Sequence, residues 1–421
     1  MSVTRREALA GLSGIAAAAV TNPLGSLHLV ASPPGTGPAA TARPVPDFPR
    51  KADFNLAEGY TYISGAYTHP MPKVAMEAMQ AWTTRRSLVG GPPAPPRTDP
   101  RIAFAALINA KPSEISFIPN TSTGENFVVE ALGIPRQGGN VVTDALHFEG
   151  ALVHLQQLQK QGLDLRIVMP REGRIDLDDM ARVVDKQTRL VEVSLVSMYN
   201  GFQHDLKAVC ELAHAHGAYV YADIIQGVGA VPFDVKATGV DFAATASYKW
   251  LMGDFGLGFF YVREELLESV VQRSHWSYES APDVELHLSP YDPLYPKPLT
   301  WTPGTLSPTY LQLGTYAIGV SVALAASLPY IQSLGVENIE RYRQPMLRKL
   351  QQEMPRLGFT PQTPHDSPSP IVTFAHQDTT QVAEKLQRAK INVRVAPTWV
   401  RIAPSVYNDM ADIDRLLDAL S

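Results

Sequence analysis

A lysine can attack a carbonyl carbon only when its amine is unprotonated, and partial burial drives it toward that state. Lys249 has the surroundings for such chemistry. It follows the short apolar run Asp241 to Thr245, in the triplet Ser247-Tyr248-Lys249, and a turn rich in glycine (Gly253, Gly256, Gly258) comes after it. Upstream, the apolar run Ala218 to Ala222 ends on Asp223, with Gln226 three positions on. Runs of this kind suit buried parallel strands, and a carboxylate at the C-terminal end of one lies where open α/β sheets bind ligands. An isolated lysine after a strand reads as a surface residue. With an aspartate at a neighbouring strand end it reads instead as a Schiff-base lysine. An aspartate in that place can pair with the pyridinium nitrogen of pyridoxal phosphate and keep the ring an electron sink.

These groups need a sheet to hold them. Strands are expected over Ile115–Pro119, Asn140–Thr143, Leu165–Val168, Thr188–Val196, Ala218–Ala222, Asp241–Thr245 and Gly258–Val262, with a short strand and loop over Tyr60–Tyr67. Helices are expected over Asp176–Val184, over Asp205–His216 with Gly217 as its stop, and over Thr309–Ala326 and Met410–Leu420. Asn120-Thr121-Ser122-Thr123-Gly124-Glu125 leads from a strand into a helix. Its free N–H groups and hydroxyls suit an N-cap or an anion site, and a phosphate-bearing cofactor favours the latter. The later strands Ile371–Ala375, Ile391–Val395 and Val400–Ala403 suggest a second, smaller unit.

The Asp223, Gln226 and Lys249 pattern resembles the class V aminotransferase group of fold type I pyridoxal phosphate enzymes, which includes cysteine desulfurases, kynureninases and isopenicillin N epimerases. The resemblance runs from about Tyr60 to the C-terminus. It implies an α/β fold: a large domain with a mostly parallel central sheet over 53–334, and a small α+β domain over 335–421. It also implies Lys249 as the cofactor lysine and general base, Asp223 at the pyridine nitrogen and Gln226 near the phenolic oxygen. Thr121 and Ser122 are implied on the phosphate, with Tyr248 as a further donor to it, and His147 stacked on the ring, where it could also relay protons. Arg401 would grip the substrate carboxylate, and Tyr67 is a candidate substrate contact at the mouth. The group's members are homodimers, so Thr305 is the candidate for a contact with the partner's phosphate. The irregular aromatic stretch His275–Pro298 is a candidate cover for the site.

Departures from the group narrow the chemistry. Met198 stands where desulfurases have asparagine, and Tyr199, Gly201 and Tyr248 are closer to kynureninases. Desulfurases carry a nucleophilic cysteine on a mobile loop before the strand that matches Val400-Arg401. Here only Val395 to Trp399 intervenes, without cysteine, and Cys210 sits on a separate helix as an expected inert thiol. The resemblance implies an enzyme acting at Cα of an amino acid or amine-bearing peptide through an external aldimine. Elimination, epimerisation, transamination and side-chain cleavage stay open, with an amino-acid C–S lyase or an epimerase as the alternative. A binding protein with a degenerate site is the non-enzyme reading; intact Lys249, Asp223, Gln226, His147 and Arg401 argue against it.

The chain has 421 residues, a net charge of −5 and a single cysteine. That length holds two domains, the charge shows no basic block for nucleic acid, and one cysteine excludes an intramolecular disulfide. His214 and His216 are two apart, off one helical face, and do not read as metal ligands. Residues 1–45 read as a signal and linker. Thr4-Arg5-Arg6-Glu7-Ala8-Leu9 resembles a twin-arginine signal, and the apolar run Ala8–Val20 is too short for a membrane span. Small residues and prolines over Ser32–Pro49 follow, with Ala40-Thr41-Ala42 a possible cleavage site and the mature fold expected to start near Asp53. The expectation is export to the periplasm by the twin-arginine machinery. Exported class V enzymes of siderophore maturation, such as those of pyoverdine, share this combination of signal and fold.

Overall fold

The computed structural model describes residues 46–89, 98–134, 136–288, 290 and 295–421. The expected export segment, residues 1–45, and the Gly90–Pro96 loop lie outside them. In chain order the first strand is β1 (Thr61–Tyr62), followed by helices α1 (Lys73–Val89) and α2 (Pro100–Leu107). The central sheet then forms from β2 (Ile115–Ile118), β3 (Asn140–Asp144), β4 (Asp164–Val168), β5 (Thr188–Ser194), β6 (Tyr219–Asp223), β7 (Phe242–Ala246) and β8 (Gly258–Val262). Between them lie helices α3 (Thr121–Ala131), α4 (Glu149–Gln159), α5 (Leu177–Ala181), α6 (Leu206–Ala215) and α7 (Val235–Thr238).

Spatial order in this sheet is β2-β8-β7-β6-β5-β3-β4, and all neighbours pair parallel except the two contacts made by β8. Both faces are covered, as a parallel sheet requires. Side chains alternate between two cores: Val142, Val191, Val220, Ala243 and Phe259 join one, while Val141, Leu190, Tyr221, Phe242 and Phe260 join the other. The parallel strands therefore all end at one edge, where Ser194 and Asp223 close β5 and β6 and where Lys249 follows β7. Strand ends of this kind are where such sheets bind ligands.

Beyond the sheet come a small hairpin, β9 (Glu285–Leu286) with β10 (Leu299–Thr300), and helices α8 (Ser307–Leu311), α9 (Ile318–Leu334) and α10 (Val336–Glu353). The single helix expected over Thr309–Ala326 is thus two. Gln312 is extended and Gly314 adopts φ +65°, which breaks the first before α9 begins. α9 then runs on through Pro329, because Leu328, Ile331 and Leu334 are buried on its core side. No single helix among the described residues is long and apolar enough to cross a membrane.

The small unit has the antiparallel sheet β11 (Thr360–Pro361), β12 (Val372–Ala375), β15 (Trp399–Ile402) and β14 (Arg394–Ala396), with helix α11 (Thr380–Arg388) and the terminal helix α12 (Met410–Leu420). The strand expected over Ile391–Val395 is divided: β13 (Ile391–Asn392) leaves this sheet and pairs parallel with β1. The N-terminal segment is therefore stitched to the C-terminal unit. Phe48, before the expected start at Asp53, stacks on Tyr342 at 4.5 Å, and Arg50 N–H donates to the Val406 carbonyl at 2.7 Å.

Candidate active site

One pocket at the C-terminal edge of the central sheet is lined by Thr121, Phe148, Asp223, Gln226, Tyr248 and Lys249, with Ser194, Val196, Met198 and Ile225 completing its wall. Residues from five separate turns meet there because the parallel strands all present that end.

Lys249 is 9% exposed, and its Nζ lies 5.7 Å from the Tyr248 ring centroid. Burial pulls its pKa down from 10.5 to about 8; Asp223 opposes the shift and Arg401 reinforces it. Asp223 is likewise buried, and burial raises its carboxyl to about 6 against the Ile225 N–H bond (2.9 Å) and the Lys249 charge. At neutral pH the site thus holds an ionised aspartate beside a lysine within reach of its neutral form.

Asn120 caps α3, its Oδ1 accepting from Thr123 N–H at 2.9 Å. The N–H groups of Thr121 and Ser122 have no partner among the described residues and sit at the positive end of the helix. Thr121 is buried and lines the pocket; Ser122 is exposed and does not. Gly124 brings this helix close to the sheet, since a Cβ there would fall 2.8 Å from Ala244 Cβ and 2.9 Å from the Phe260 ring.

Gln226 is oriented by two bonds: Nε2 donates to the Ala66 carbonyl (3.0 Å) and Oε1 accepts from Trp250 Nε1 (3.1 Å). Trp250, next to the lysine, went unnoticed in the sequence, although an indole N–H beside a cofactor lysine is a signal to look for its acceptor. His147 is fully buried, bonds Ser194 Oγ through Nδ1 at 2.9 Å, and burial lowers its pKa to about 4. It has no surface open to the pocket. The ring that lines the pocket is its neighbour, the half-buried Phe148. This neutral imidazole braces the end of β5 through Ser194, and its Nε2 is buried without a hydrogen-bond partner among the described residues.

Arg401 on β15 is 4% exposed, and its Nη1 donates to the Met198 carbonyl at 2.8 Å. The loop of Met198 is drawn in by Gly201 (φ +71°), where a Cβ would meet the Ile371 carbonyl at 2.3 Å. Tyr67 is exposed and carries Arg394 over its ring at 5.2 Å. Tyr199 donates its hydroxyl to Glu149 Oε2 at 2.5 Å. Tyr248 stacks on Phe255 with centroids 4.3 Å apart. Thr305 is exposed and is not among the lining residues of its own chain's pocket. The aromatic stretch from His275 contacts Phe127 and Thr315, and Trp276 packs on Trp301. Cys210 is 1% exposed in the core, and burial lifts its thiol to about 12.

The residues fit pyridoxal phosphate: a depressed lysine, a buried carboxylate, an amide fixed as a donor, a planar ring and a helix N-terminus line one enclosed pocket. The chain is 28% identical over 334 residues to a cysteine desulfurase of Escherichia coli O127:H6, covering 75% of this chain and 79% of that one. It is 27% identical over 408 residues to a probable cysteine desulfurase of Pyrococcus abyssi, covering 89% and 97%. Among solved structures, the apo cysteine desulfurase of Thermococcus onnurineus superposes with a TM-score of 0.75 at 23% identity, covering 88% of this chain and 97% of that one. A cystine C–S lyase in complex with its reaction product cysteine persulfide gives 0.74 at 20%, covering 86% and 97%. These likenesses carry the fold. The aminotransferase class-V model matches residues 98–416, and the chain therefore belongs to that family of pyridoxal phosphate-dependent enzymes.

Proposed function

We propose that the protein acts at Cα of an α-amino acid, free or as an amine-bearing residue of a peptide. The observation that carries this is the convergence of Lys249 and Asp223 on one pocket, with Arg401 bonded to the Met198 carbonyl of its wall and near enough for its charge to act on Lys249. Bound there, pyridoxal phosphate supplies an electrophilic carbon for the substrate amine and a sink for the electrons released at Cα. Asp223, ionised above about pH 6, would hold negative charge for the ring nitrogen. Gln226 would have its remaining Nε2–H free for the phenolic oxygen, and the N–H groups of Thr121 and Ser122 would be available to the phosphate. Phe148 would supply an apolar wall beside the bound group. Arg401 orients the substrate carboxylate as a charge-assisted pair. Lys249 Nζ then removes the Cα proton.

Persulfide formation on the enzyme has no support, because the hairpin before Arg401 lacks a cysteine and Cys210 is enclosed elsewhere. A C–S lyase that releases its sulfur product directly needs no such thiol, and the relatives named above favour that alternative. The exposed pair Trp276 and Trp301 supports a homodimer in which Thr305 reaches the partner's phosphate. The twin-arginine pattern supports export to the periplasm, where tailoring of a siderophore peptide is the finer reading.

The test is a substrate panel on purified holoenzyme, with pyruvate, ammonia and keto acid assayed together. Pyruvate with ammonia from a sulfur amino acid marks elimination, keto acid without ammonia marks transamination, and no turnover of any amino acid or amine-bearing peptide rejects the proposal.

A further inference from the structure

Arg394 and Arg401 stand directly opposite each other on the antiparallel pair β14 and β15, so both side chains leave the same face of the sheet. Like charges paired this way repel. Among the described residues neither has a carboxylate in salt-bridge contact: Arg401 bonds a carbonyl, and Arg394 lies over the Tyr67 ring. Glu149, the acid whose charge reaches Arg401, is occupied by the Tyr199 hydroxyl. The two arginines differ in depth, Arg401 being buried and Arg394 exposed. A tight turn, Pro397-Thr398, joins the strands and fixes their register. The fold thus holds two cations on one face, one beside the pocket and one nearer solvent, both lacking a counter-ion.

We propose that Arg394 is a second anion-binding residue and that the substrate is an amino acid with a carboxylate on its side chain. This rests on the amino-acid reading given above. Arg401 takes the α-carboxylate, as an isolated Arg can, while Arg394 selects among amino acids through the side-chain acid. The Tyr67 ring holds the Arg394 guanidinium in place through its π face.

The experiment is an absorbance titration of the holoenzyme with L-aspartate and L-glutamate, each against its amide, L-asparagine and L-glutamine. At least one acid is expected to bind about tenfold tighter than its amide, the value of one charge-assisted contact at a partly exposed site. Arg394→Gln should collapse that ratio toward one, whereas Arg401→Gln should weaken acid and amide together and keep the ratio. Equal affinity of acid and amide in the unaltered enzyme, or a ratio that survives Arg394→Gln, overturns the inference and leaves the amino-acid reading intact. No response to any of the four, nor to L-cysteine or L-alanine, overturns both.

Discussion

The protonation of Lys249 can be moved in both directions by substitutions around it. Its pKa lies near 8 in the fold against 10.5 for a free lysine. About one amine in ten is then neutral at pH 7, compared with roughly one in three thousand for an ordinary lysine, a gain of about three hundredfold in reactive amine. The shift corresponds to about 3 kcal/mol, and at 9% exposure little of it is screened by solvent. Because the folded value is depressed, the cofactor-free fold gains stability as pH rises from about 8 toward 10.5, where the unfolded chain still binds the proton. Asp223→Asn removes the charge that favours the ammonium and should lower the pKa by on the order of one unit. Arg401→Gln removes a repelling cation and should raise it by a fraction of that. The assay is the pH dependence of reductive methylation of Lys249 in cofactor-free protein, read residue by residue by mass spectrometry. A midpoint near 10.5 in the unaltered protein would refute burial as the cause, and identical midpoints in all three would refute the charge effects of Asp223 and Arg401.

Two further outcomes follow from buried polar groups. Trp250→Phe leaves Gln226 Oε1 without its donor, which costs about 1–3 kcal/mol in denaturant unfolding and loosens the amide that faces the cofactor, so cofactor affinity falls as well. Glu192 is fully buried with neither carboxylate oxygen bonded, and burial raises its pKa well above 4.5. Its folded form keeps a proton that the unfolded chain gives up, so it erodes stability as pH rises above about 4.5. Glu192→Gln should therefore raise the thermal unfolding midpoint at pH 7 and change it little at pH 4.

The central strands were legible because each is a short apolar run ending in a turn, and their ends placed Asp223 and Lys249 without further information. Thr121 was legible for the same reason, as the first residue of a helix that opens on a strand end. What escaped was set by long-range packing. The pairing of β1 with β13 joins segments far apart in sequence, and nothing local marks it. The choice between His147 and Phe148 falls in the turn after β3, where strand alternation no longer dictates which side chain faces the pocket. The break between α8 and α9 carries no proline, while the helix beyond it continues through one because its apolar face is buried. The pairing of Arg394 with Arg401 required the register of a hairpin, which spacing alone does not provide.

The most direct test of the account is to reduce the purified protein with borohydride and map the modified peptide. Lys249 alone should carry the pyridoxyl group, with Lys249→Ala leaving the protein colourless before reduction. A pyridoxyl group on another lysine, or none on protein saturated with pyridoxal phosphate, would contradict the assignment of the site.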